Sequence, residues 1–172
     1  MITASERRGA LKLVVTALLA VLVLGGCASI KYSYDMKSSF SAPKNYAWAP
    51  SEATYGKDPL LESNVQVLAD QLLAQKGYVR ISEKPDLVVT MSYEFDSSSY
   101  RDNYELRMLT LNVYQIKPGM PSPSDVPKMS MQKENNVELI WRGTAFGSIS
   151  TDAASADLKK AVHGILSNFP PK

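Results

Sequence analysis

The sequence predicts an α+β fold: a two-layer sandwich in which an antiparallel or mixed sheet of about five strands carries two helices on one face. Three observations lead there. Five segments alternate apolar and polar side chains with the period of a strand, and two others repeat apolar residues with the period of a helix. Their order reads β-β-α-β-β-β-α, and the helix between the second and third strands allows one right-handed crossover. The 146 residues from Cys27 onward suit one domain with one core.

The first 26 residues read as a leader that lies outside this fold. Arg7, Arg8 and Lys12 make its start basic, and residues 13–24 form a twelve-residue apolar run. A helix needs about 20 such residues to cross a hydrocarbon core, so the run has the length of a signal h-region. At its end, Leu24-Gly25-Gly26-Cys27 resembles the lipobox of a bacterial lipoprotein signal peptide. The resemblance implies that residues 1–26 are removed and that the Cys27 thiol carries a diacylglycerol, which makes Cys27 the expected lipidation site. Ala28 after the cysteine resembles outer-membrane lipoproteins, so the expected place is the outer membrane, facing the periplasm. Cys27 is also the only cysteine, which rules out a disulfide within the chain. Free-thiol catalysis would need a paired base, and none stands nearby in sequence.

Removing the leader takes away three of the 19 basic groups and one of the 17 acidic ones, leaving 16 of each and no net charge. A neutral chain without a basic block argues against nucleic acid as a partner. It argues equally against electrostatic membrane docking beyond the lipid itself. Residues 27–30 leave a tether of about 10 Å at full extension. A domain of this length has a radius of gyration of about 15 Å, so residues 31–172 should sit against the membrane surface.

The first strand is Ile30-Lys31-Tyr32-Ser33-Tyr34-Asp35, and the second is Asn45-Tyr46-Ala47-Trp48-Ala49-Pro50, closed by a proline that cannot donate to a ladder. Asp58 then caps the first helix, with Pro59 at its first position and Glu62 in its first turn. Leu61, Val65, Leu68 and Leu72 mark its buried stripe, and Gly77 ends it in the left-handed region. The third strand begins at Pro85-Asp86, with Leu87, Val89, Met91, Tyr93 and Phe95 on one face and Val88, Thr90, Ser92 and Glu94 on the other. Residues 106–117 make the fourth strand, carrying Leu109, Leu111 and Val113 inward. Residues 117–136 hold Pro118, Pro121, Pro123 and Pro127 and too little apolar surface to order themselves, so a mobile loop is expected.

Residues 137–150 form the last strand, with Leu139, Trp141, Ala145 and Ile149 inward and Gly143 and Gly147 leaving room for a helix to lie close. The final helix covers roughly residues 154–168. Its stripe is Leu158, Val162, Ile165 and Phe169, and Pro170-Pro171 stops it.

Several short stretches stand together in the order of a known pattern: Phe40, Tyr46-Ala47-Trp48, Asp58-Pro59-Leu60-Leu61, Lys76-Gly77-Tyr78, Pro85-Asp86-Leu87, Trp141-Arg142-Gly143-Thr144-Ala145 and Asn168-Phe169-Pro170-Pro171. In this order they resemble the bacterial envelope lipoproteins grouped as domain of unknown function family 4136, over nearly the whole mature chain. The resemblance implies a single two-layer α/β domain on a lipid tether, with no established activity. Family members usually join the last two strands by a short turn, where this chain has residues 117–136.

Candidate chemistry is sparse. His163 is the only histidine and falls about 140° from Leu158 on the last helix, on the flank away from its buried stripe. Metal and acid–base sites want a second group that it lacks. Ser97, Ser98 and Ser99 have neither a nearby base nor a strained-elbow motif. Met120, Met129 and Met131 would suit Cu(I), though incidental methionines in a loop read the same way. Asp96, Asp102 and Glu105 near Tyr100 and Tyr104 offer a carboxylate pair of the kind hydrolases use, and also the ordinary polarity of a loop. No enzyme, cofactor or metal is expected from this inventory. Three functions remain: an envelope lipoprotein presenting a sheet surface or edge to a protein partner, a small binding domain for an apolar or cell-wall ligand beside Gly143 and Gly147, and, disfavoured, a hydrolase.

Overall fold

The computed structural model describes residues 28–40, 44–53, 57–96, 105–116, 137–152 and 156–171. Its elements are β1 (Ser29–Tyr34), β2 (Asn45–Trp48), β3 (Glu52–Ala53), α1 (Pro59–Gln75), β4 (Val79–Arg80), β5 (Leu87–Phe95), β6 (Glu105–Ile116), β7 (Val137–Ser150) and α2 (Ala156–Ser167). They form one mixed sheet in the order β1-β7-β6-β5-β2-β4, with β3 pairing β5 beyond the end of β2. The four strands β1, β7, β6 and β5 are antiparallel neighbours, whereas β2, β3 and β4 add parallel pairs. The five strands legible in the sequence are β1, β2, β5, β6 and β7. The two others, β3 and β4, hold two residues each, too few to show an alternation.

Helix α1 starts and stops on local chemistry. The Asp58 carboxylate accepts from the N–H groups of Leu60 and Leu61, both at 3.0 Å, and Pro59 follows where no donor is needed. At the other end Gly77 takes φ 85°, so that the N–H of Tyr78 reaches the Leu73 carbonyl and that of Gly77 the Ala74 carbonyl. Its buried line is Leu61, Val65, Ala69 and Leu73, with Leu68 and Leu72 only partly buried. The helix is thus turned slightly from the stripe expected through Leu68 and Leu72.

On α2, Leu158, Ala161, Val162, Ile165 and Leu166 are buried. Both helices pack on the sheet face that carries Leu87, Val89, Met91 and Tyr93 of β5, Leu109, Leu111 and Val113 of β6, and Trp141 and Ala145 of β7. Phe169, just past α2, is the hub of the aromatic core. Its ring lies 5.2 Å from Trp141, 5.3 Å from Tyr78 and 6.1 Å from Phe40, the last two contacts tying in the chain after α1 and after β1.

Strand β7 departs from strict alternation twice. Val113 stands opposite Trp141 while Tyr114 stands opposite Leu139, so Ile140 is an extra residue in the ladder. The bulge turns Leu139 away from the core, against expectation, and buries Ile140 in its place. A second irregularity falls between the Leu106–Ile149 and Met108–Phe146 pairs, where Gly147 has φ 137°.

The room at Gly143 is already taken. A Cβ there would lie 2.3 Å from Trp141 Cη2 and 2.8 Å from Ile165 Cγ2, so the glycine lets an indole and a helix side chain onto the strand. At the far end of the β6–β7 ladder, Ile116 faces Val137, so the pairing runs up to the 117–136 connection, which itself lies outside the described residues. Replacing residues 119–135 by a two-residue Asn-Gly turn is therefore expected to leave the thermal midpoint within a few degrees of the parent's. Loss of cooperative melting in the shortened chain would show that the segment carries core contacts.

Candidate interaction surface

With both helices on one side, the outward residues of β1, β7, β6 and β5 form cross-strand rows on the other. One row runs Ser33, Arg142, Asn112, Thr90, and the next runs Lys31, Thr144, Thr110, Ser92. Strand pleating alone sets this: the inward partners of these residues are the core aliphatics, so every second position must face away.

Thr90, Thr110, Asn112 and Thr144 are buried, and they satisfy one another. The Asn112 amide donates to the Thr90 hydroxyl at 3.2 Å, and the Thr110 and Thr144 hydroxyls lie 2.9 Å apart. Arg142 is exposed, and its Nε donates to Asn112 Oδ1 at 2.7 Å. Asn112 thereby fixes the guanidinium at Nε, and among the described residues no hydrogen bond is seen to its two terminal nitrogens. Such a fork matches a carboxylate in a bidentate way. Among the described residues no carboxylate forms an ion pair with it. Beside it, Lys31 places its ammonium 5.4 Å from the centre of the Phe146 ring, and Arg107 is paired with Glu94 at 2.7 Å. The face ends in a small apolar cluster of Ala49, Val88 and Tyr114, flanked by Ile116 and Val137.

Two carboxylates pin α1 to the sheet. Asp70 accepts from the Tyr46 hydroxyl at 2.6 Å, the Trp48 indole N–H at 2.8 Å and Arg80 at 2.7 Å. Glu62 accepts from the hydroxyls of Ser51 and Tyr93, and Tyr93 in turn accepts from the Asp58 N–H at 2.8 Å. Burial pushes the Tyr93 phenol up to about 12, the Asp58 N–H opposing and the Glu62 carboxylate assisting. Tyr46 is pushed up as well, by burial first and then by Asp70. Both phenols therefore stay protonated as donors and are poor acid–base catalysts near neutrality.

A pH dependence follows. The folded state keeps the Tyr93 proton that the unfolded chain releases near 10, so the contribution of Tyr93 to stability should be constant below pH 10 and fall from there towards pH 12. The loss from Tyr93 is expected at about 1–3 kcal/mol. Urea midpoints between pH 8 and 12 would measure it. An unchanged slope in Tyr93→Phe would assign the loss elsewhere.

Of the polar residues singled out in the sequence, the structure describes Asp96, Glu105 and His163. Cys27, Met120, Met129, Met131, Ser97, Ser98, Ser99, Tyr100, Asp102 and Tyr104 lie outside the described residues. Asp96 and Glu105 meet through the backbone, the Asp96 N–H donating to the Glu105 carbonyl at 2.9 Å, while the Glu105 carboxylate accepts from Ser148. His163 is exposed on α2, on the side expected. Among the described residues no group of three His, Cys, Asp or Glu could hold a metal ion, and no helix is long and apolar enough to cross a membrane. Asp70, Asn112 and the role of Arg142 were not evident from the sequence. Only the polar alternation of Thr90, Ser92 and Glu94 hinted at this face.

A family model described as domain of unknown function (DUF4136) matches residues 30–171. A DUF4136 family protein from Bacteroides thetaiotaomicron is similar in structure at a TM-score of 0.57 and 12% identity, over 84% of this chain and 97% of its own. A PelC variant from Paraburkholderia phytofirmans, solved as a dodecamer, is similar at a TM-score of 0.53 and 12% identity, over 82% of this chain and 95% of its own. At such identities the likeness is one of fold. No curated protein matches the chain.

Proposed function

The chain belongs to the DUF4136 family, and from that footing we propose that it is a non-catalytic, lipid-anchored protein of the cell envelope that presents the helix-free face of its sheet to a protein partner at the membrane. The observation that carries this reading is the exposed Arg142 guanidinium, held at its Nε by Asn112, with Lys31 in the adjoining cross-strand row. A guanidinium fixed at one nitrogen, with a lysine in the adjoining row, suits a partner that offers carboxylates. The residues of the family pattern support it from the other side. Phe40, Tyr46, Trp48, Asp58, Tyr78, Trp141 and Phe169 are all engaged in packing, capping or pinning the fold. The roles these residues have in the structure are those of a scaffold.

The anchor is Cys27, in the outer membrane with the domain in the periplasm. β1 begins two residues later, at Ser29, so the lipid would hold the sheet edge, with the Lys31–Thr144 and Ser33–Arg142 rows, close to the bilayer. Two measurements test the reading. Labelled palmitate should enter the parent protein and be absent from Cys27→Ser. In intact cells a carbodiimide, which joins an amine to a carboxylate, should link Lys31 to an envelope protein. Arg142→Glu should reduce that product about tenfold or more while leaving the unfolding midpoint within about 1 kcal/mol of the parent's, as for an exposed side chain. Label in Cys27→Ser, or a product indifferent to Arg142→Glu, would overturn the anchor or the face respectively.

A further inference from the structure

Helix α1 has a second face that the fold does not use. Its apolar residues lie all round its circumference, whereas those of α2 are gathered on the buried side. Directly opposite the buried line stand Leu60 and Val67, 78% and 53% exposed, with Ala74 a further seven residues on. Ser63 and Gln71 fill the turns between them. The only charged residues of α1 are Glu62 and Asp70, and both are engaged by Ser51, Tyr93, Tyr46, Trp48 and Arg80. The line Leu60, Ser63, Val67, Gln71 and Ala74 thus carries no charge, and Asp70 with Arg80 upon it stands at its flank. By contrast, α2 shows solvent Lys159, Lys160 and His163. Depletion of charge around exposed aliphatics marks the core of an interface more than a solvated helix face.

We infer that this face is a self-association seam, on which a second copy of the chain packs α1 against α1, antiparallel, about a two-fold axis at Val67. Three features select a second copy. The seam is uncharged, so it meets its own image without like-charge repulsion. Val67 is the middle residue of a helix running from Pro59 to Gln75. Leu60 and Ala74 lie seven residues to either side of it, so the two-fold sets each leucine over the partner's Ala74, a large side chain against a small one, and each Ser63 beside the partner's Gln71. Seven-residue spacing is the repeat that keeps such a seam in register. A helix of 17 residues is about 26 Å long. A seam of that length buries less than the roughly 800 Å² per partner of a standard interface, so pairing should be weak in dilute solution and favoured between copies held on one membrane.

The seam lies on the helix layer, away from Arg142, so its failure would leave the proposed function standing. The test is disulfide trapping in the full-length protein in its own membrane. Under mild oxidation Val67→Cys should give a covalent dimer of the chain, because the axis brings the two thiols together. Leu60→Cys alone should give none, and Leu60→Cys mixed with Ala74→Cys should give one. In the same membrane, adding Val67→Glu to the Leu60→Cys and Ala74→Cys chains should remove most of their mixed dimer, with the thermal midpoint of Val67→Glu within a few degrees of the parent's. Absence of a Val67→Cys dimer, equal trapping through Leu60→Cys alone, or a crosslink to a different protein would each overturn the inference.

Discussion

Replacing Trp141 by alanine is expected to destabilise the domain by about 3–5 kcal/mol, a large part of the stability of an ordinary domain. The side chain is fully buried, its ring meets Phe169 at 5.2 Å, and it lies across Gly143 beneath Ile165 of α2. Its removal opens a cavity between β7 and α2 that no neighbour can fill, since Gly143 has no side chain to move. The indole N–H has no hydrogen-bond partner among the described residues. Trp141→Phe should therefore cost less than the alanine, because it keeps much of the ring and drops an unsatisfied donor. Urea unfolding of the three proteins would check both statements. A midpoint unmoved in Trp141→Ala would mean the residue is not in the core.

Asp70→Ala is expected to cost about 2–4 kcal/mol. One carboxylate takes hydrogen bonds from Tyr46, Trp48 and Arg80, and Tyr46 is almost wholly buried. The alanine strands that hydroxyl in the core and frees α1 from β2 and β4 together. Arg80 is half exposed, so its pair with Asp70 adds little by itself. Arg80→Ala should then cost less than 1 kcal/mol, and Tyr46→Phe should recover part of the loss in the Asp70→Ala background by removing the stranded group. If the double variant is no more stable than Asp70→Ala alone, the hydroxyl was not the source of the cost.

The sequence was most legible where one residue decides a local outcome. Asp58, Pro59 and Gly77 mark the ends of α1, and the alternation of Leu87, Val89, Met91 and Tyr93 sets which side of β5 is core. It was least legible where the outcome depends on a neighbouring strand. The bulge at Ile140 exchanges Leu139 for Ile140 in the core, and nothing in the local pattern of β7 announces it. The candidate surface fails for the same reason. Thr90, Asn112 and Arg142 are 22 and 30 residues apart along the chain, and only the registers of β5, β6 and β7 make them one hydrogen-bonded row. Asp70 likewise looks like an ordinary solvent residue of a helix until β2 places Tyr46 and Trp48 against it.

The position of β1 also determines how the domain would bear load. The strand is joined to the sheet through β7 alone, by six residue pairs from Ser29–Phe146 to Tyr34–Trp141. A pull delivered at Cys27 along the strand meets those six pairs together, in shear, and not one after another as in peeling. An edge strand with a single neighbour becomes, in that direction, a firm handle, and the force passes directly into β7, the strand that holds Trp141 on one side and Arg142 on the other.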